Sequence, residues 1–461
     1  MRKKNGYIIH SLQHKKKQQG ILFVVITLCF LVMAGYYFYQ HRHDLTISTA
    51  KLYFYDSEKD ELVPVNRKVS LSGQTEKIVK ILLEELSKPP KEGNLQSFIP
   101  VHGSISNVSL KEGICSLVLE EDMISKSISS VSQEAAAVYS IVNTLTELDS
   151  IQKVQLSVQG KKDPTFKQYI SLSEPLIRLA SQLPKGQYVR MYYYHLPTNM
   201  FLLTKVEIPA SSEINDTVAS IVNQLMIRYR DVEDITSFFP EEVSINSILI
   251  EDGSLFLDLT PEFQRFRYGA NAELALVNSI TLSLTELPEI QNVRIQVDGT
   301  NVSTLGGHTS SLEPYQRWHG FEIENASILY YVLKKDQNHY LLPVFRSSKQ
   351  DTSFTPEDIL QNLLKGPSSD ERDMGIVSDI PSGTKLISVT PGEENSLMID
   401  LDMEMSEFLN AQQEENFLEQ LILTLSENTG FRSFHIYFRG ETLESLPFGT
   451  EINNPLFREL S

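Results

Sequence analysis

Paired carboxylates are the residues in this chain that could do chemistry. Two acids flanking a scissile bond can hydrolyse a glycan. Asp258 and Asp400 sit at the same place in two similar strands, LFLDL (255–259) and LMIDL (397–401), while a third strand of the kind, CSLVL (115–119), has Val118 instead. Successive strand side chains alternate faces, so Asp258 stands opposite Leu257 and Leu259 and is expected in solvent. A further acid follows each strand: Asp122, Glu262 or Glu404, next to Met123, Phe263 or Met405. An acid there suits a helix start, where it meets free backbone N–H groups and the positive end of the dipole. A peptidoglycan or partner contact is the other reading.

No other catalytic pattern stands out. HExxH, CxxC, GxSxG and P-loop spacings do not occur. The eight histidines from His41 onward are scattered without paired ligand spacing. His195 and His339 fall near hairpin turns and are expected on surface loops. The reading is therefore no enzyme, no catalytic residue, no metal ligand and no cofactor, with a cell-wall hydrolase as the residual enzymatic alternative.

The elements that carry these residues recur. In VNSITLSLTELPEIQNVRIQV (277–297), Val277, Ile280, Leu284 and Leu287 lie on one helical face, and Pro288 stops the helix. Val293, Ile295 and Val297 then alternate as a strand, closed by the turn residues Asp298 and Gly299. The same unit occurs at 139–158 and, more loosely, at 418–438, with Leu145, Leu284 and Leu425 in register about 140 residues apart. Upstream of it each copy has a hairpin, an amphipathic helix, a loop (SFIP, SFFP or DIP) and a second hairpin. Two of the second hairpins turn at KEG (111–113) and EDG (251–253). Ser130 with Gln133 reads as a capping box opening a helix over about 132–148. The order is ββαββαβ per copy. One apolar face per helix predicts that both helices cover one side of a single, mostly antiparallel sheet. The fold class expected is α+β: an N-terminal transmembrane helix followed by three two-layer sandwich repeats, at 50–180, 188–320 and 326–461.

A chain of 461 residues with 41% hydrophobic residues can bury three such cores. Its net charge is −18, unevenly spread. Residues 1–43 hold seven Lys and Arg and no acid, so the rest carries 34 basic against 59 acidic residues. An acidic body disfavours nucleic acid and bare anionic lipid as partners. Cys115 is the only cysteine outside the N-terminal apolar run, so no disulfide forms within the body.

That run, Gly20 to Tyr39 (GILFVVITLCFLVMAGYYFY), has twenty residues without charge. At 1.5 Å per residue it spans about 30 Å, the thickness of a bilayer core. Tyr36, Tyr37 and Tyr39 mark its far end, and the basic segment 1–19 precedes it. The positive flank stays inside, which places the following residues outside the cell membrane. A cleavable signal and a lipidated Cys29 fit less well, because Ala34-Gly35 makes a poor cleavage site and Leu28 precedes the cysteine.

Each copy ends in a tail pairing proline with arginine: Pro175 and Arg178, Pro314 and Arg317, Pro455 and Arg458. Arginine bonded to a neighbour's carboxylate would fix the geometry between copies. Trp318, the single tryptophan, lies in the second tail with Tyr315 and Phe321, and tail packing is expected of it.

Taken together, these parts resemble the GerMN domain of sporulation and spore-germination proteins. The matching features are the opening YFYDSEKDELVPV, the SFIP/SFFP loop, the helix ending LTEL, the strand running to VQG or VDG, and the tail LSEPLIR. In the third copy Ser426-Glu427-Asn428 and FRG replace two of these motifs. The resemblance implies a non-enzymatic, membrane-tethered envelope protein of a spore former, active in engulfment-stage or germination machinery. It also implies similarity to small α/β modules that build oligomeric rings. Relatives commonly carry a lipid anchor and two copies.

The function expected is an extracytoplasmic scaffold anchored in the cell membrane, with envelope or sporulation membrane proteins as partners, self-association as an option and no nucleic acid. The alternative is a sensory or ligand-binding ectodomain modulating a membrane kinase or transporter.

Overall fold

The computed structural model describes residues 27, 29–33 and 36, and from Ile47 onward all except 72, 92, 102, 162–164, 180–181, 228–234, 241, 266–268, 322–325, 336–337, 348–353, 453–454 and 459–461. Most of the apolar run from Gly20 to Tyr39, and all of the basic segment 1–19, lies outside the described residues. Those of the run that are described are helical, and Phe30, Leu31, Val32, Met33 and Tyr36 are exposed. Among the described residues no helix is long and apolar enough to cross a membrane.

The chain forms two compact units, Met1–Lys185 and Gly186–Ser461. The first holds copy one: β1 (Ile47–Asp56), β2 (Glu61–Ser70), α1 (Thr75–Leu86), β3 (Leu95–Gln96), β4 (Ile105–Lys111), β5 (Ile114–Leu119), α2 (Val131–Leu145) and β6 (Lys153–Val158). The second unit holds copies two and three. Copy two runs β7 (Gly186–His195), β8 (Met200–Pro209), α3 (Ile214–Met226), β9 (Ile235–Thr236), β10 (Ile245–Glu251), β11 (Ser254–Leu259), α4 (Ala270–Leu284), β12 (Asn292–Val297) and β13 (Thr300–Asn301). Copy three runs β14 (Ala326–Lys335), β15 (Asn338–Ser347), α5 (Pro356–Leu364), α6 (Ser369–Asp373), β16 (Ile376–Val377), β17 (Lys385–Pro391), β18 (Ser396–Asp402), α7 (Ala411–Asn428), β19 (Ser433–Phe438) and β20 (Leu456–Phe457).

The turns follow from backbone chemistry. Glu112 and Gly113 both take positive φ (52° and 78°), as do Asp252 and Gly253 (48° and 79°). Two successive residues of positive φ match the right-handed twist of the flanking strands, so a two-residue hairpin closes without splaying. The helix between β5 and β6 returns the chain to the same edge, and the pair is therefore parallel, with Ile114 opposite Lys153 and Leu119 opposite Val158. The same parallel pairing joins β11 to β12 and β18 to β19.

The expected single sheet is thus corrected. Copy one has two three-stranded sheets, in the orders β2-β1-β3 and β4-β5-β6. The physical reason lies at the inner edge of β1. β3 covers it only at Tyr55 and Asp56. Further along, α2 takes the place of a strand: the backbone N–H of Tyr53 donates to Thr144 Oγ1 (3.1 Å). A buried hydroxyl here satisfies a strand N–H that would otherwise be orphaned. Copies two and three repeat the device, with Tyr192 N donating to Ser283 Oγ (2.9 Å) and Tyr330 N to Thr424 Oγ1 (2.9 Å).

Capping departs from expectation in detail. Ser130 Oγ accepts from Gln133 N (3.3 Å), but the Gln133 side chain accepts from Ser129, not from Ser130. Helix α6 is opened by a full capping box of Ser368 and Glu371, a short element with too few residues to show periodicity.

In the second unit the two first hairpins merge. β8 and β15 pair antiparallel at Leu203 and Leu341, giving a six-stranded sheet in the order β16-β14-β15-β8-β7-β9. On one of its faces Tyr192, Phe201, Leu203, Leu282, Trp318, Tyr330, Leu341 and Leu423 pack as one buried cluster drawn from both copies.

Candidate functional site: interlocked tyrosine, arginine and glutamate clusters

Three positions recur in the three copies. The first is the tyrosine at the centre of the opening strand: Tyr53, Tyr192 or Tyr330. The second is a glutamate three residues beyond the hydroxyl that caps this strand: Glu147, Glu286 or Glu427. A spacing of three returns to the same side of the chain one turn on, so tyrosine ring and carboxylate meet. The third is the tail arginine: Arg178, Arg317 or Arg458.

In copy one the three close on themselves. Tyr53 Oη donates to Glu147 Oε1 (2.8 Å). Arg178 Nη1 donates to Glu147 Oε1 (2.6 Å) and to Tyr53 Oη (2.8 Å), with its guanidinium 5.5 Å above the Tyr53 ring. Arg178 Nη2 donates to the carbonyl of Asn143 (3.0 Å), and Lys51 adds a second cation 3.3 Å from Glu147. This triad is partly exposed, at 25% for the Glu147 side chain and 36% for that of Arg178.

In copies two and three the triads interlock. Arg317 donates to both oxygens of Glu427 (3.0 Å each) while lying 3.1 Å from its own Glu286. Arg458 donates back to Glu286 (2.5 Å) and to its own Glu427 (2.8 Å). The hydroxyls of Tyr192 and Tyr330 meet at 3.0 Å. Trp318 Nε1 donates to Glu427, and Arg190 donates to both oxygens of Glu419 in copy three (2.8 Å each). Three arginines therefore face three glutamates in a space where Glu286 and Glu427 are only 7% and 3% exposed. Burial alone would raise both carboxyls. Arg458 and Arg317 outweigh it, holding Glu286 at about 2 and Glu427 lower still. Burial pushes the Tyr192 hydroxyl up, with the Glu286 charge adding to it.

This arrangement holds two domains in one orientation. Each carboxylate is saturated by guanidinium groups, so it stays ionised and has no proton to give. Buried ion pairs add specificity of geometry more than net stability, and losing one partner strands the other charge. Beside the cluster is a cavity of about 300 Å³ lined by Gln187, Arg190, Thr217, Ser283, Glu286 and Glu289, among others.

The residues singled out from sequence fall as follows. Asp258 is buried, not solvated: its Oδ1 accepts from the N–H of Gly299 (2.8 Å), in the turn after β12. Strand β12 pairs alongside β11 and brings that turn over the aspartate, a relation invisible to alternation within β11 alone. Asp400 does the same for Gly440 (3.0 Å). Each aspartate is engaged by a turn of its own copy. Asp122 accepts from the N–H and hydroxyl of Ser104 (2.8 and 3.0 Å). Glu262 lies 3.4 Å from Arg265, and Glu404 2.8 Å from Arg439. His195 is buried at the end of β7 with Nδ1 2.8 Å from Thr198 Oγ1, against the surface-loop expectation. There the β9 strand closes over it at Ile235. His339 is half-buried, 3.4 Å from Asn416. Tyr315 and Trp318 are buried in the tail, and Phe321 stacks on Phe345 of copy three with ring centres 5.2 Å apart. Among the described residues, no group of three or more His, Cys, Asp or Glu is placed to hold a metal ion.

A second recurrent acid escaped the sequence reading. Glu134, Glu273 and Glu414, in the first turn of α2, α4 and α7, are fully buried. Glu134 accepts the backbone N–H groups of Lys167, Gln168, Tyr169 and Ile170. Glu273 accepts those of Gly306, His308 and Thr309, and Glu414 those of Phe448 and Thr450. The signal was the glutamate repeated at one place in SQEAAA, NAELAL and QQEENF. A carboxylate collecting several amides clamps the loop that leads into each tail.

Comparison with known proteins places the chain among relatives. The profile of the family described as Germane, sporulation and spore germination, matches residues 51–164, 191–303 and 328–444. The chain is 23% identical over 238 residues to the spore germination protein GerM of Bacillus subtilis (strain 168), an alignment that takes in 48% of this chain and 62% of that relative. The chain thus spans less than two thirds of that relative's length. The solved tandem GerMN domains of GerM from Bacillus subtilis superpose with a TM-score of 0.46 at 16% identity, covering 59% of this chain and 98% of that structure. The first GerMN domain of the same protein gives a TM-score of 0.25 at 16% identity, over 28% of this chain and 98% of that structure.

Proposed function

We propose that this chain, which belongs to the Germane family of sporulation and spore-germination proteins, is a non-enzymatic extracytoplasmic scaffold anchored in the cell membrane and used in sporulation or germination. The observation that carries the scaffold reading is the interlocked cluster of Arg317, Arg458, Glu286 and Glu427. The buried polar chemistry of the second unit goes into fixing two domains against each other through bidentate and reciprocal ion pairs. A rigid two-domain block presents its sheet edges and helix faces in a constant geometry, which is what an assembly partner needs. The uncharged run from Gly20 to Tyr39 supplies the anchor, and the basic segment before it sets the orientation. Envelope or sporulation membrane proteins are the partners that fit.

The test is localisation of a C-terminally tagged chain through a sporulation time course, with the tag's access to an impermeant label read in parallel. Enrichment at the septum or around the forespore, with the tag accessible from outside the cell membrane, supports the proposal. An even distribution in vegetative cells, unchanged by starvation, argues against a sporulation scaffold.

A second reading is favoured by the cavity beside Arg190. A pocket of about 300 Å³ lined by the Arg190 guanidinium, the Gln187 amide, the Thr217 and Ser283 hydroxyls and the Glu286 and Glu289 carboxylates could take a small polar ligand and make the body a sensory ectodomain. Ligand-dependent rises in the melting temperature of the second unit, lost in a Gln187→Ala variant, would support it.

A further inference from the structure

The contact between copies two and three is reciprocal. Arg317 reaches Glu427, Arg458 reaches Glu286, and the two tyrosine hydroxyls meet in the middle. Beside them the outer strands of the two opening hairpins, β8 and β15, lie antiparallel. When each side offers the same groups to the other, the surface is self-complementary, the condition for a two-fold contact between identical surfaces.

Copy one owns the same surface. Tyr53, Glu147 and Arg178 hold the three triad positions, and β2 is the outer strand corresponding to β8 and β15. Here, however, β2 ends its sheet and the triad is partly exposed. Pairing opposite the central tyrosine fixes the correspondences: Pro64 faces Tyr53 as Leu203 faces Tyr192 and Pro343 faces Tyr330.

We infer that the copy-one face formed by Tyr53, Glu147, Arg178 and the β2 edge docks on the same face of a second chain, making a symmetric dimer. Arg178 of each chain reaches Glu147 of the other, as Arg317 reaches Glu427 within the chain. This deepens the scaffold reading by naming a partner and rests on it. The two fail separately, since imaging tests the scaffold and association tests the dimer.

The residues also set its strength. Leu62 stands where copy two has Phe201, Leu179 where it has Trp318, and Asn143 where it has Leu282. The dimer face is therefore less apolar than its internal counterpart. Pro64 has no N–H, which removes one strand-to-strand hydrogen bond from the edge. Side-chain charges carry most of the contact, so the dimer is weak, reversible and loosened by salt.

The test is sedimentation of the full chain in mild detergent over a range of concentrations, with Arg178→Glu and Glu147→Arg as variants. The wild type should pass from monomer to dimer as concentration rises, with the dimer loosened by added salt. Each variant puts like charges on both sides and should weaken the dimer by roughly tenfold or more. An equimolar mixture of the two variants faces two acids with two arginines and should recover a mixed dimer, which misfolded variants could not do. A wild type that stays monomeric throughout, a dimer indifferent to both variants, or a mixture that fails to recover would each overturn the assignment.

Discussion

Arg317 and Glu427, 110 residues apart, form a two-pronged ion pair with both N–O distances at 3.0 Å. The arginine ends copy two and the glutamate ends the long helix of copy three. A tail that leaves one domain is thus a structural part of the next. The corresponding arginine of copy one, Arg178, forms its ion pair with Glu147 of its own copy. The same three residue types hold a domain together in one place and weld two domains in the other.

Removal of Arg317 tests the weld. Arg317→Ala leaves Glu427 and Glu286 buried and short of one cation, and the second unit should lose about 3–5 kcal/mol. Arg178→Ala removes a partly exposed pair and should cost about 1 kcal/mol or less. Denaturant unfolding of the full chain, followed separately for each unit, measures both. Equal losses from the two variants would mean that the burial difference has no energetic weight.

Acid should act on the second unit through the same cluster. Burial raises Glu286, but Arg458 and Arg317 hold it at about 2 in the folded chain, below its ordinary 4.5. A carboxyl with a lowered folded pKa contributes stability that is fully present above its unfolded value. That stability is lost as pH falls from about 4.5 toward 2. Glu427 is shifted in the same direction and adds to the loss. Melting temperatures of the second unit should therefore drop steeply from pH 5 to pH 2. A Glu286→Gln variant should be less stable at neutral pH and show a shallower drop, because it has no proton to take up.

Glu273 collects backbone N–H groups from Gly306, His308 and Thr309. Its glutamine isostere keeps one acceptor oxygen and loses the charge, so Glu273→Gln should cost about 1–3 kcal/mol. The loss should show first as faster hydrogen exchange at those three amides. Unchanged exchange there would mean that the loop is held by its own turns.

How far the sequence carries the fold depends on the range of the interaction. Local signals were sufficient for the elements: helix stripes such as Val79, Leu82, Leu83 and Leu86 are buried as their spacing requires. The turn pairs Glu112-Gly113 and Asp252-Gly253 close hairpins as their chemistry dictates. The proline and arginine of each tail point to an ion pair. Nothing in that motif tells Arg317 to cross to copy three while Arg178 stays at home. That choice depends on whether the outer hairpin strand finds another strand, and so on burial that no single copy contains. Asp258 was misplaced for a related reason. Its face is solvent-like within β11, and only the parallel neighbour β12 brings Gly299 over it. The clamps by Glu134, Glu273 and Glu414 were visible as a repeated letter, but their meaning needed the loop more than thirty residues downstream.

Two natural probes separate the units. Trp318, the single tryptophan, is buried in the second unit against Tyr192, Phe201 and Phe345. Cys115 is fully buried in β5 of the first unit, where burial pushes its thiol up to about 11. A thiol that is both buried and protonated does not react with a disulfide reagent at neutral pH. In a Cys29→Ser background, thiol labelling therefore reports the unfolding of copy one, and tryptophan fluorescence reports that of copies two and three. The two transitions should fall at different denaturant concentrations, because the cores are separate clusters, one drawn from copy one and the other from copies two and three. Arg317→Ala should shift the fluorescence transition and leave the labelling transition in place. If both probes moved together in that variant, the chain would unfold as one cooperative body, and the division at Lys185 would have no thermodynamic meaning.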